Sequence, residues 1–517
     1  MITPTWKLYE EGKDYKRRIG LYERVRENER FYRGDQWHGV NTENLPKPVF
    51  NVVKRVVDYL VCSVAADRYS ISYTDENLPF IGDGKLAGQI KQALSVMALN
   101  AGYRWEKCRM NDMTYALLQD AALSGDGVAY CYWDSDAKSG MYDGDIAVQT
   151  VDSVNLFVSD VNRADIQSQD YVILSGRCSV DSLRAEARSY GFSEREIAKI
   201  RPDDDYDSGA GDYALGELSS ESDKKATYLM RFFRENGKVV CEKSVRELVL
   251  RRIVTNCKLY PVAYFNWSGT KNCFHGASPI SEMVPAQKFI NRAYAMVMKH
   301  MTDTAFSKVI YDKSRIPEWT NDVGEAIAVV GAPNVSDTVD VIQPGKMEGG
   351  YLALIENAVS TTKELMGATE TALGNTIPNN TSAILALRET SKLSLGRVES
   401  ALSQCIEDIA NIWIDMMCAY YPDDRLLPYN EEQKTVAARV DFPLLRSCLI
   451  RARVDVSVAE RYSASTTLGM LDKLLEGGFI TVEEYLENLP EGVLPTRRQL
   501  LAKHEGGTEQ NGRTANQ

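Results

Sequence analysis

At 517 residues, 44% hydrophobic and 26% charged, the chain can bury a large core over several domains, which excludes a mainly disordered or fibrous protein. A formal charge of -12 argues against a conventional DNA reader, which carries a strongly basic face. The ten cysteines include no C-x-x-C pair, and most sit in apolar settings (Cys62, Cys405, Cys418, Cys448), which predicts buried free thiols in a reducing compartment.

In chain order, the polar start MITPTWKLYEEGKDYKRR lacks the apolar stretch of a signal peptide. No run anywhere reaches the roughly 18 apolar residues of a membrane span, so a cytosolic chain without membrane partners is expected. Residues 5–33 read as one charged helix ending at Gly34-Asp35, with Phe31, Tyr32 and Trp37 as an aromatic anchor around that turn. In FNVVKRVVDYLVCSVAAD, Val52, Val53, Val56, Leu60 and Val64 recur at helical spacing and predict a core helix. A polar stretch, TDENLPFIGDGK, leads to a helical region over 86–124 carrying Leu94, Met97, Leu99, Trp105, Tyr115 and Leu118.

Strand signals follow over 125–182 in GVAYCYW, IAVQTVD, NLFVSD and DYVILSGR, then a helix around 180–200. The segment PDDDYDSGAGDYALGELSSESDKK is acidic and without apolar period, and reads as a loop or disordered insertion. Strands resume in TYLMRFFREN, KVVCEK and YPVAYFNW.

A helix is predicted from Ser278 as N-cap with Pro279 at its first position. Residues 308–345 break it as a small strand-containing insertion, and a second helix returns with Leu352, Ile355, Val359 and Met366 on one face. The helix-breaking run GNTIPNNTS precedes a long helix over about 382–420, roughly 55 Å at 1.5 Å per residue. Its stripe of Leu395, Val398, Leu402, Cys405, Ile409, Ile412 and Met416 has coiled-coil spacing. Trp413, Met417 and Tyr420 widen the stripe and favour a buried helix. ARVDFPLL and CLIRARVDVSV read as a pair of strands, and 464–489 as a helical hairpin with a Thr481–Glu484 capping box. The tail after 504 is low in complexity and expected to be disordered.

The signatures of catalysis are missing. No GKS or GKT occurs, and GDGKLAG at 82–88 has the wrong spacing for a phosphate loop and sits in a polar loop. DDDYDSG at 203–209 has its glycine one place late for a calcium loop and Ala214 where a glutamate is needed. Cys273 and His275 lack further ligands at zinc-site spacing, and no G-x-S-x-G elbow is present. No catalytic residues, cofactor or metal are expected, although an active site without a local signature is one alternative.

Four stretches together resemble the tailed-bacteriophage portal proteins, the head-to-tail connectors built of wing, stem, clip and crown. They are FYRGDQW with KPVFNVVKRVVDYLVCSVAADRYSI, LLQDAALSGDGVAYCYWD with the strands after it, HGASPISEMVPAQKFINRAYA, and the helix–loop–long helix of 348–420. Their order, rather than any one motif, carries the resemblance, which runs over about 20–500.

The resemblance implies a helix-rich α+β subunit. In it, 1–277 form an N-terminal arm and α/β wing, 278–307 and 346–373 the two stem helices, and 308–345 the clip. Residues 374–381 form a tunnel loop, 382–421 a long wing helix, 422–463 wing strands and 464–503 the crown, before a tail at 504–517. It further implies a homo-oligomeric ring of twelve at the capsid vertex, assembled in the host cytoplasm. Its partners would be double-stranded DNA bound without sequence preference, the terminase large subunit, major capsid and scaffolding proteins, and head-completion or neck proteins. Gly374, Asn375, Thr376, Ile377, Pro378, Asn379, Asn380 and Thr381 would line the DNA channel, and Lys313, Arg315 and Trp319 would meet the terminase and neck. An uncharged loop suits DNA that must slide, as does an acidic chain that does not grip phosphates. The alternative in the same setting is a virion structural subunit without a channel.

Overall fold

The computed structural model describes residues 2–42, 44–65, 68–203, 225–304, 308–316, 334, 339–342, 350–368, 395–431, 434–457 and 463–489. Helix α1 (Pro4–Arg18) starts on Thr3, whose hydroxyl accepts the Trp6 N–H at 3.3 Å. Helix α2 (Leu21–Arg33) begins after Gly20, which lies at φ +65°. The single helix expected over 5–33 is therefore two, because a left-handed residue turns the chain where glycine alone adopts it without strain. The aromatic anchor forms: Phe31 is buried, Tyr32 donates to Asp58 at 2.7 Å and the Trp37 indole donates to the Pro48 carbonyl at 2.8 Å.

Helix α3 (Val52–Ala65) buries Val53, Val56, Val57, Leu60, Val61 and Val64. Cys62 is exposed, against expectation, because a position next to a buried one on a helix is rotated about 100° away from the core. Strand β1 (Arg68–Asp75) was not anticipated. Helix α4 (Gly84–Lys107) is capped by the Asp83 carboxylate, which accepts the N–H groups of Lys85 and Leu86. The GDGKLAG cluster thus opens a helix and is not a polar loop. Arg109, at φ 50°, separates α4 from α5 (Met110–Ser124), so the region 86–124 is two helices. Leu94, Met97 and Leu118 are buried as expected, whereas Leu99 and Tyr115 face outward.

Strands β2 (Asp126–Ser139), β3 (Tyr142–Thr150), β4 (Leu156–Val158) and β5 (Tyr171–Ser179) follow the sequence reading. The helix expected around 180–200 is split into α6 (Val180–Ser189) and α7 (Glu194–Ile197) by Gly191 at φ 81°. Then come β6 (Lys225–Glu235), β7 (Lys238–Ser244), an unanticipated β8 (Val249–Val254), and β9 (Val262–Asn266). They make an antiparallel five-stranded sheet of order β4-β5-β6-β7-β8 and a three-stranded one of order β3-β2-β9. The acidic segment 204–224, with most of the DDDYDSG motif, lies outside the described residues.

The centre of the chain holds α8 (Pro279–Thr304), the antiparallel pair β10 (Lys308–Tyr311) and β11 (Val339–Ile342), α9 (Gly350–Leu365) and α10 (Gly396–Tyr420). Residues 369–394 are outside the described set, and α10 starts at Gly396, with Leu395 as its N-cap. Its 25 residues span about 37 Å, and the part of the expected long helix over 382–394 lies outside the described residues. The broad stripe is buried as read: Val398, Leu402, Cys405, Ile409, Ile412 and Met416 with Trp413 and Met417.

Strands β12 (Leu426–Glu431) and β13 (Lys434–Arg439) form a hairpin, followed by α11 (Phe442–Ser447) and β14 (Ile450–Ser457). This corrects the expected pairing of ARVDFPLL with CLIRARVDVSV. Asp441 caps the Leu444 N–H at 3.1 Å and Pro443 occupies the first turn, so FPLL is helical. Strand β14 instead pairs with β1, Ile71 opposite Val454. Helices α12 (Ser463–Glu476) and α13 (Val482–Asn488) form the expected hairpin, with the Thr481–Glu484 box closed in both directions.

The result is an α+β chain whose main core joins α3, α4, α5, β2, β9, the root of α8 and α10. Smaller cores lie around the five-stranded sheet. Among the described residues no helix is long and apolar enough to cross a membrane.

Candidate interface of the central helices

The root of α8 is fixed by polar groups rather than by apolar packing alone. Ser278 donates to the Ala122 carbonyl at 2.5 Å and accepts the Ile280 N–H at 3.1 Å, which makes it the expected cap. One turn on, Ser281 and Asn28 of α2 bond each other in both directions at 2.9 and 3.1 Å. Gln287, 1% exposed, accepts the first N–H groups of α3 from Val52 and Val53 and donates to the Phe50 carbonyl and to Asn291. Asn291 in turn donates to Gln36 at 2.6 Å. Each amide thus satisfies a backbone group or another amide, which a buried polar side chain must do to avoid a desolvation cost. Gln287 and Asn291 stand four apart on an otherwise apolar helix face, and that signal went unread in the sequence.

Just ahead of α8, Asp126 is wholly buried and accepts from Tyr264, Asn266, the Gly276 N–H and His275 Nδ1, the last at 2.6 Å. Burial first, then the Asp126 carboxylate, pushes the Tyr264 phenol far above its ordinary range. Gly125, at φ 98°, passes so close to Gly276 that a Cβ would meet its carbonyl oxygen at 2.5 Å. This arrangement pins β2 to the start of α8. His275 and Asp126 are sealed at 3% and 0% side-chain exposure, a geometry suited to holding rather than to turning over a substrate. Cys273 faces the Tyr15 hydroxyl at 3.8 Å. No group of three His, Cys, Asp or Glu among the described residues is arranged to hold a metal ion.

Farther out, α8 and α9 pack along each other, yet both keep bare apolar side chains. Phe289, Met296, Met298 and Met301 of α8 are exposed, as are Tyr351, Leu352, Leu354 and Leu365 of α9. Of Leu352, Ile355, Val359 and Met366, read as one face of this helix, Ile355 is buried and Leu352 is exposed. Such a concentration on two adjoining helices exceeds the scatter of single exposed apolar residues and makes this face the candidate interaction surface.

Lys313 and Arg315 lie together in the turn after β10, ordered by Asp312, which accepts the Ser314 N–H and hydroxyl at 2.9 and 2.6 Å. Arg315 pairs with Asp312 at 3.5 Å and Lys313 is exposed. Trp319 and the loop Gly374–Thr381 lie outside the described residues, so nothing here brings them together with that turn.

Two buried ionic joints tie the rest to this frame. Asp145 accepts from Arg104 at 3.2 Å, Lys107 at 2.5 Å and Tyr421 at 2.6 Å, and Arg425 lies 3.8 Å away. Burial raises its pKa, but Arg104, Lys107 and Tyr421 outweigh that and hold the carboxyl well below its ordinary range. The joint binds α4 and β3 to the end of α10. On the arm, Lys16 is buried with its ammonium donating to the carbonyls of Ser153, Val154 and Leu156 (3.3, 2.8 and 2.6 Å), over the Phe157 ring. Burial pushes its amine down to about 7, opposed by Asp152 and Asp126. Nearby, burial and then Asp152 and Glu29 push Asp120 up to about 7.

Compared with known proteins, residues 238–442 match the family of phage P22-like portal proteins, a span that runs from β7 to the start of α11. No curated protein matches the chain.

Proposed function

We propose that the chain, whose residues 238–442 match the phage P22-like portal proteins, is a tailed-phage portal protein and the ring-forming subunit of a double-stranded DNA channel at the capsid vertex. DNA enters through this channel during packaging and leaves through it during ejection. The observation that carries the proposal is that the matched span contains α8, the β10–β11 pair, α9 and α10, and that the apolar residues left bare concentrate on α8 and α9. In this reading α8 and α9 are the stem, and residues 308–345 are the clip that docks terminase and later neck proteins. Gly374–Thr381 are the tunnel loop against DNA, α10 belongs to the wing, and α12 with α13 to the crown.

A channel subunit must bury two different side faces against its neighbours, and a rotation that closes gives a cyclic ring, here of twelve. Binding to free duplex is weak, salt-sensitive and independent of sequence, because a net-acidic chain neutralises few phosphates. Electron micrographs of the purified chain are expected to show a ring with a central hole, and native mass spectrometry a twelve-subunit mass. A monodisperse monomer at every salt and protein concentration would overturn the proposal.

A further inference from the structure

A cleft of about 840 Å³ opens where the β6–β7 hairpin end of the five-stranded sheet meets α10 and the start of β14. Leu259, Ile412 and Ile414 give it apolar walls, and Lys238, Lys258, Arg446 and Arg451 line it as well. Three carboxylates line it too, and one of them, Asp408, accepts the Gln404 amide N–H at 3.3 Å. Asp415 accepts the backbone N–H groups of Lys258 and Leu259 at 2.7 and 2.9 Å, and Glu76 pairs with Arg451 at 3.2 Å. Leu449, 59% exposed, adds a bare apolar side chain to the lining. Arg446 is paired with Asp423 at 2.8 Å and Arg451 with Glu76, so the exposed ammonium groups of Lys238 and Lys258 are the cations that the cleft offers. A volume in the range of drug-sized ligand sites, with apolar walls and two exposed lysines at its rim, fits a short acidic peptide that carries apolar anchors.

The chain itself contains such a peptide. Residues 204–224 hold seven carboxylates against one cation, Lys224, with Tyr206, Tyr213, Leu215 and Leu218 among them. Both ends of that segment are clasped at the opposite end of the same sheet. The Asp203 N–H donates to the Lys225 carbonyl at 3.2 Å, and its carboxylate accepts the Thr227 N–H and hydroxyl at 2.7 and 2.9 Å. Arg177 donates to the Asp203 carbonyl at 2.8 Å.

The 11 residues of β6 separate clasp from cleft by about 35 Å. A segment fixed at both ends, running out and back over about ten residues each way, spans about that distance only when fully extended. Its own cleft is therefore reached only by a taut chain, at the greatest entropic cost. A neighbouring copy's cleft imposes no such demand. A head-to-tail contact needs two different surfaces on each copy, and clasp and cleft sit at opposite ends of one sheet.

We propose that the cleft is the seat of the acidic segment 204–224 of a neighbouring copy, a contact that adds to the ring-forming one and rests on the ring reading above. Two measurements test it. In the first, a fluorescent peptide of residues 204–224 is titrated into the full chain with that segment replaced by a short Gly-Ser linker. Saturable binding is expected, weakened about tenfold or more by Lys238→Glu with Lys258→Glu, two exposed positions, and weakened likewise by high salt. Absence of binding, or binding indifferent to both changes, would overturn the seat. In the second, rings assembled from isotopically heavy and light chains are treated with a carbodiimide, which joins a lysine amine to a carboxylate as an amide with loss of water. Joined peptides between Lys238 or Lys258 and the segment are expected in heavy–light pairs. Purely heavy–heavy and light–light pairs would mean that each chain fills its own cleft, and no joined peptides that the cleft is not the seat; either outcome overturns the proposal. If no rings form, the ring reading has failed, and the peptide titration still judges the cleft by itself.

Discussion

Asp145 has the most to lose by substitution. Arg104 and Arg425 beside it are 5% and 3% exposed, so Asp145→Ala leaves buried guanidinium charge without its counter-ion. The expected cost is about 3–5 kcal/mol, read as a lower urea midpoint with unchanged slope. Because the folded carboxyl titrates below the unfolded one, its contribution is fully present above about pH 4 and fades as pH falls through the folded value. Asp120 behaves in the opposite sense. Its folded pKa of about 7 lies above the unfolded value of about 4, so its contribution is full below pH 4 and lost as pH rises through 7. Asp120→Asn mimics the protonated form and is expected to raise the melting temperature at pH 8 while changing it far less at pH 4. An equal change at both pH values would show that Asp120 is not the titrating group.

At the scale of elements, α8 is held at its root by amides and left bare toward its end. Gln287→Ala removes the acceptor for the first N–H groups of α3 and the donor to Phe50. It is expected to destabilise by about 1–3 kcal/mol, measured by denaturant unfolding. The proposed tunnel loop is an element with little to lose in packing, since Thr376–Asn380 contain one apolar aliphatic side chain, Ile377. Replacing Thr376–Asn380 by a brief glycine linker is expected to spare folding and ring assembly and to impair packaging or retention of DNA. Lysines placed there should slow translocation by giving phosphates something to hold. Normal packaging rates by both variants in vitro would remove the loop from the mechanism.

For the whole molecule the decisive property is the apolar surface on α8 and α9 that one chain leaves uncovered. Met301→Glu together with Leu352→Glu puts charge on two exposed positions, so the isolated chain should fold with its melting temperature nearly unchanged. Rings should fail to form, because burying an unpaired carboxylate between copies costs far more than leaving it in water. Light scattering distinguishes the two states, and intact rings from the double variant would move the subunit contact to another face.

Periodicity determined the elements whose neighbours in sequence are also their partners in space. The valine stripe of α3, the broad stripe of α10, the Ser278 cap of α8 and the Thr481–Glu484 box were legible because each depends on spacing within one helix. The order of such elements also carried the resemblance to portal proteins, which the match over 238–442 bears out. Backbone breaks were less legible: Arg109 at φ 50° divides two helices without a composition signal. Tertiary structure alone decided the pairings that cross the chain. Strand β1 finds β14 more than 370 residues later, and Asp145 meets Tyr421. Gln287 turns from an apolar helix face to cap another helix. A side chain's hydrogen-bonding capacity is written in the sequence, but its partner is not. The partner is fixed only when the folded core excludes water and leaves each buried donor one acceptor within reach.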